Sequence, residues 1–179
     1  MTVPSNLPAQ PSDSSGGQGL LPPDGYPVRD SGDAWVVGPN GARFWGRYGA
    51  AGLLVHDCAR GVLLQHRVEW SHFGGTWGIP GGARHEGESA ETAALREAHE
   101  EAGVPEDHLR LLFTEVLDLK YWSYVTVVTR VLTPFEPIAG DAESLELRWV
   151  ALDDVLTLPL HPKFAESWPS LRARLDTVS

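Results

Sequence analysis

Residues 82–104 read GARHEGESAETAALREAHEEAGV, a glycine-bearing loop that hands over to a helix marked at both ends. Ser89 supplies a side-chain oxygen for the free N–H groups of a first turn, Gly103 stands where a left-handed residue closes a helix, and Pro105 forbids another turn. The spacing therefore predicts a helix over 90–102. Ala94, Leu95, Ala98 and Ala102 give it a narrow apolar face of mostly small residues, suited to close packing on a sheet. Glu97, Glu100 and Glu101 fall at i, i+3 and i+4, which brings their β-carbons within about 5–6 Å on one face. Three bare carboxylates repel one another, and a hard divalent cation relieves that repulsion; oxygen ligands suit Mg²⁺ or Mn²⁺. Arg96 is spaced to pair with Glu100 or with Glu88 and so to orient the ligands from behind. The competing reading of the same charges is a solvated helix face.

Outward from this stretch the pattern is that of an α/β domain. Upstream, Trp35-Val36-Val37 and Arg43-Phe44-Trp45 flank a Pro-Asn-Gly turn and read as a short hairpin. Residues 48–56 and 62–67 read as two antiparallel strands about a turn at 57–61, followed by a glycine-rich loop over 68–87. Downstream, 109–119 and 121–132 are β-rich, the second carrying the β-branched run Val125–Thr129 of a buried strand, and 143–150 adds another. A helical turn near 153–156 and an amphipathic helix over 163–175 complete the plan.

Residues 1–33 are dense in Pro, Gly and Ser and carry no apolar period, so they are expected to form a flexible tail ahead of one domain over 34–179, with Leu20-Leu21 the only apolar pair there able to dock. The chain has 179 residues, with 14 Lys+Arg against 24 Asp+Glu and a formal net charge of −10. One core of that size folds without staples. The acidic balance disfavours a broad grip on a nucleic acid polymer. A single cysteine, Cys58, excludes an internal disulfide and fits a reducing cytoplasm. No apolar run approaches the ~18 residues of a membrane span, and no apolar leader opens the chain, so a cytoplasmic protein without membrane association is expected. The seven histidines show neither cysteine partners nor His-Glu-x-x-His spacing, which argues against zinc.

Gly82, Glu88, Arg96, Glu97, Glu100, Glu101 and Gly103, closed by Val104, match the Nudix box at every fixed position. With each residue type at roughly 6% abundance, seven matches at one start arise by chance on the order of 10⁻⁸ to 10⁻⁹. Trp77-Gly78-Ile79-Pro80-Gly81 also resembles the family's lead-in, and the resemblance covers about residues 45–175. Ala98 departs from it, standing where the box usually has a bulkier aliphatic residue.

This resemblance implies an α/β/α sandwich with a mixed sheet, a catalytic loop-helix and a C-terminal helix. It further implies a pyrophosphohydrolase that cleaves a nucleoside diphosphate linked to another moiety, using Mg²⁺ or Mn²⁺. By the family's pattern Glu97, Glu100 and Glu101 bind metal, Glu97 is also the candidate for orienting or deprotonating the attacking water, and the carbonyl of Gly81 is a further ligand. Glu88 and Arg96 take supporting places. One additional carboxylate is expected from Glu143 or Glu146, which a strand puts on opposite faces. Arg84 and Trp77 are candidate substrate contacts; so is Tyr121, seventeen residues past the box, near where dinucleoside polyphosphate-cleaving relatives carry a tyrosine. Trp70, Trp77 and Trp122 read either as base-stacking residues or as core.

The leading expectation is hydrolysis of an ordinary or oxidised nucleoside triphosphate to monophosphate and pyrophosphate by a monomer or homodimer. ADP-ribose, nucleotide-sugar and dinucleoside polyphosphate cleavage remain open, as does a nucleotide-sensing domain without catalysis. The isomerase of the same fold needs a cysteine acid/base, and Cys58 falls in a predicted turn.

Overall fold

A computed structural model describes residues 31–178 apart from 72, 141 and 143. Almost all of the expected tail lies outside the described residues. The strands are β1 (Trp35–Val37), β2 (Arg43–Trp45), β3 (Ala50–Asp57), β4 (Gly61–Arg67), β5 (Trp77–Gly78), β6 (Gly81–Ala83), β7 (Leu109–Asp118), β8 (Ser123–Val131) and β9 (Ser144–Val150). Two α-helices, α1 (Ala90–Ala102) and α2 (Pro162–Val178), accompany them. The helix predicted near 153–156 is a 3₁₀ turn over Val155–Thr157, and the last helix runs longer than its amphipathic stretch.

β1 and β2 form a separate antiparallel hairpin; the other seven strands form one mixed sheet. At its centre β3 runs parallel to β8 over seven paired positions, from Ala50↔Tyr124 to His56↔Arg130. Its other edge is shared: β6 pairs antiparallel with Ala50–Gly52, and β4 only with His56 and Asp57. β4 then leaves to pair with β5 and β9, opening a split in the sheet that Pro80 spans, its carbonyl accepting from the N–H of Leu53 at 2.9 Å.

Strand alternation sorts the core into two layers. Ala51, Leu53, Val55, Leu63, Val125 and Val127 face α1, meeting Ala93, Ala94, Ala98 and Ala102. Leu54, Val62, Leu64, Val128 and Val150 face α2, meeting Phe164, Trp168, Leu171 and Leu175. The α/β/α sandwich is thus built. Two short strands, β5 and β6, lie where the sequence reads only a loop. β5 joins β4 through only two paired positions, β6 pairs back past β4 and β5 to β3, and glycine leaves no alternating side-chain pattern to read. Among the described residues no helix is long and apolar enough to cross a membrane.

Candidate active site

The helix that carries the acidic stripe is fixed at both ends by its own sequence. Ser89 Oγ accepts the Thr92 N–H at 3.0 Å. Gly103 adopts φ 62°, ψ 23°, and its N–H donates to the His99 carbonyl at 2.9 Å. Alanine at 94, 98 and 102 lets the helix approach β3 without intervening side-chain bulk.

Arg96 is the hub of the loop-helix junction. Its Nε and Nη2 donate to the two oxygens of Glu88, each at 3.0 Å, Nη2 also to the carbonyl of Ala83 at 3.0 Å, and Nη1 to Glu97 Oε1 at 2.8 Å. Glu100 Oε2 lies at 3.4 Å from the same Nη1. Glu88 further accepts the N–H of His85 at 2.9 Å. Burial acts to raise the pKa of Glu88, but the bonds from Arg96 and His85 outweigh it and hold the carboxyl below its ordinary range. In turn the paired carboxylates raise the pKa of Arg96 in spite of its burial.

The three stripe glutamates take different environments. Glu101 is 5% exposed, and its Oε2 accepts the N–H of Gly81 at 2.9 Å. Glu97 is half-buried against Gly82, where a β-carbon would stand 2.6 Å from its carboxylate. Glu100 points outward, its side chain 57% exposed. Among the described residues no three acidic, histidine or cysteine side chains close into a metal cluster. The donor set nevertheless fits a hard cation: the Glu97 carboxylate occupies the place a β-carbon on Gly82 would take, and the Glu101 carboxylate lies on the neighbouring Gly81 N–H.

The remaining candidates separate. Glu143 lies outside the described residues. Glu146 stands on the α2 face of β9, exposed and 3.0 Å from Arg148, away from the α1 carboxylates. Arg84 donates through Nε to the carbonyl of Glu88 at 3.1 Å and so braces the box loop. Trp77 is a core residue, 3% exposed, with His66 stacked on it at 4.7 Å and the Arg148 guanidinium 4.3 Å from the ring. Tyr121 is exposed beside Phe44, their rings 5.8 Å apart. Trp122 is half-buried and donates its Nε1–H to the carbonyls of Trp45 and Gly46 at 3.0 and 3.1 Å, tying the β1–β2 hairpin to β8.

Two neighbours of the site escape the sequence reading. A register shift between His66 and Arg67 breaks the strand alternation, and Arg67 acts electrostatically on Tyr124, as do Glu97 and Glu101. Burial is the largest effect on Tyr124 and raises its pKa. No local signal announces a bulge, and Tyr124 reads from sequence as one more aromatic in a strand.

A model of the NUDIX domain matches residues 46–172. A Mycobacterium tuberculosis protein named "Putative 8-oxo-dGTP diphosphatase 3" is 48% identical over 161 residues, covering 84% of this chain and 74% of that protein. A "Nucleoside triphosphate pyrophosphatase/Nudix hydrolase fusion protein" of Bifidobacterium longum is 40% identical over 178 residues, or 94% of this chain and 37% of the fusion. The crystal structure of a Nudix hydrolase from M. smegmatis superposes with a TM-score of 0.75 at 48% identity, covering 83% of this chain and 98% of that one.

Proposed function

The chain belongs to the NUDIX domain family of hydrolases, and from that premise we propose that it is a divalent-metal-dependent pyrophosphohydrolase of an oxidised nucleoside triphosphate such as 8-oxo-dGTP, releasing monophosphate and pyrophosphate in the cytoplasm. The observation that carries this reading is the placing of Glu97 and Glu101 against the Gly81–Gly82 cradle, with Glu100 beside them at the solvent edge. The names of the relatives, at 48% and 40% identity, support the substrate class.

Bound Mg²⁺ or Mn²⁺ would supply the positive charge that the phosphoryl oxygens need and that an acidic chain lacks. Glu97, Glu100, Glu101 and the Gly81 carbonyl would hold it. Glu97 also orients the attacking water and takes its proton, since Arg96 engages one of its oxygens at 2.8 Å and fixes the carboxylate plane. Arg96, locked by Glu88, keeps the stripe in one arrangement.

Phosphate release coupled to inorganic pyrophosphatase, with Mg²⁺ and with Mn²⁺, tests the reading against triphosphates, 8-oxo-dGTP, ADP-ribose, nucleotide sugars and dinucleoside polyphosphates, with a phosphatase added for monophosphate products. The expected result is metal-dependent turnover of 8-oxo-dGTP. Glu100→Gln is expected to lose more than the ~10–100-fold that outer partners of metal ligands cost, with its fold intact by circular dichroism. A Glu100→Gln enzyme as active as the parent removes the metal assignment.

A further inference from the structure

The outer face of α1 is open where its inner face is closely packed. Leu95 is the one large apolar residue of the helix, and it lies half-buried at the margin of the alanine layer. Beyond Gly103 the chain stays against the helix: the Val104 N–H donates to the Ala98 carbonyl and the Val104 carbonyl meets His99 Nδ1, each at 3.2 Å. Between this segment and α1 lies a groove of about 780 Å³. Leu95, Val104 and Pro105 give it an apolar floor, and the exposed Thr92, His99 and Asp107 form its rim. A groove of that size takes several side chains.

Arg96 also lines the groove and links it to the place where the described chain begins. A β-carbon on Gly32 would run into the Arg84 carbonyl, so Gly32 lies directly on the box loop. Arg84 Nε donates to the Glu88 carbonyl at 3.1 Å, and the Glu88 carboxylate holds Arg96 at 3.0 Å. Residues 1–30 thus join the domain only a few contacts from the groove.

Their length and sequence fit it. α1 has 13 residues and is about 20 Å long. Leu21 precedes Ser31 by ten residues, which reach about 33 Å when extended, enough to pass along the whole helix. Leu20-Leu21 is the only apolar pair in residues 1–30, and Pro22 and Pro23 behind it restrict the backbone, which lowers the entropy lost on docking. A short tether sets an effective concentration in the millimolar range, so a contact too weak to form between separate molecules is populated within one.

We infer that the outer groove of α1 is the docking site of this chain's own Leu20-Leu21-Pro22-Pro23 segment, with the leucines seated on Leu95, Val104 and Pro105. The docked segment braces the helix on the side away from the sheet, next to Arg96. This contact stands whether or not the chain hydrolyses a nucleotide.

The test is methyl NMR on the full-length protein, parent against a Leu20→Ser, Leu21→Ser double variant whose changes lie outside the packed domain. The Leu95 and Val104 methyl resonances are expected to shift, while those of Leu171 and Leu175 on the α2 face stay in place. Tm is expected to fall by about 2–4 °C, the change that a modest loss of burial produces in a chain of this size. In the parent, methyl–methyl Overhauser contacts should join Leu21 to Leu95 and Val104 at every protein concentration. Unchanged Leu95 and Val104 resonances in the double variant overturn the inference. Contacts that vanish on dilution also overturn it, because they put a second copy's segment in the groove.

Discussion

The two helices cover opposite faces of one sheet with opposite materials. α1 buries four alanines, Ala93, Ala94, Ala98 and Ala102, whereas α2 buries Phe164, Trp168, Leu171 and Leu175. A large apolar side chain contributes about 1.5–3 kcal/mol on burial, several times what an alanine methyl offers. The α2 face therefore clamps the fold by hydrophobic area. The α1 face gives up that area for closeness: its helix lies near enough to β3 and β6 for Glu101 to reach the N–H of Gly81 and for Glu97 to lie on Gly82. What holds α1 in register is polar, namely the Ser89 cap, the Gly103 closure and the Arg96 network. One face is for stability and the other for aim.

Truncation on the α2 side is the strongest way to break that division. Leu171 is fully buried, and Leu171→Ala is expected to cost about 2–5 kcal/mol, read as a lowered urea midpoint at unchanged m-value. Turnover per folded molecule should stay near the parent's at temperatures well below the transition. If the folded fraction loses activity in proportion to stability, the two faces are not separable and the comparison fails.

Overfilling the α1 side gives the complementary result. Ala98 is fully buried between α1 and the sheet, at the position where the family's box usually carries a bulkier aliphatic residue. Ala98→Leu is expected to cost about 1–3 kcal/mol by overpacking, less than the Leu171 truncation, yet to reduce kcat more. The reason is geometric: pushing α1 off the sheet moves Glu97 and Glu101 away from the glycine cradle, and small misplacements are expensive in catalysis. Parent-like kcat in a destabilised Ala98→Leu protein would mean that close approach of α1 does not aim the carboxylates.

How much of this was legible beforehand follows from the range of each signal. The bounds of α1 were, because Ser89, Gly103 and Pro105 act within one turn of the helix they limit. The β-branched run Val125–Thr129 marked β8 for the same reason. β5 and β6 were hidden, since they exist only through pairing with β4 and β3, and Gly81-Gly82 offers no side-chain alternation. The site divides likewise. Spacing alone placed Glu97, Glu100 and Glu101 on one helix, but only tertiary contacts decide that Glu101 is buried, that Glu100 faces solvent and that Trp77 is core. For Glu146 the alternation rule was available and the face was not, because the register of β9 on β4 is set by residues eighty positions apart.

The subtlest expected effect concerns the polar network that substitutes for area on the α1 face. Glu88 has a pKa below its ordinary value in the folded protein, through Arg96 and His85, so its ionised form stabilises the fold. That contribution is full above the unfolded carboxyl range near pH 4–5 and is lost as pH falls through the lower folded pKa. Glu88→Gln keeps the size of the side chain but not its charge, and at pH 7 it should destabilise on the order of 1 kcal/mol. The gap in Tm between parent and Glu88→Gln should then narrow as the pH is taken from 7 to 3, because the parent alone loses the Glu88 charge. Arg96 keeps its own charge throughout, so the narrowing isolates the carboxylate. A gap that stays constant across that range would assign the stabilisation to shape, and the α1 face would owe its register to packing after all.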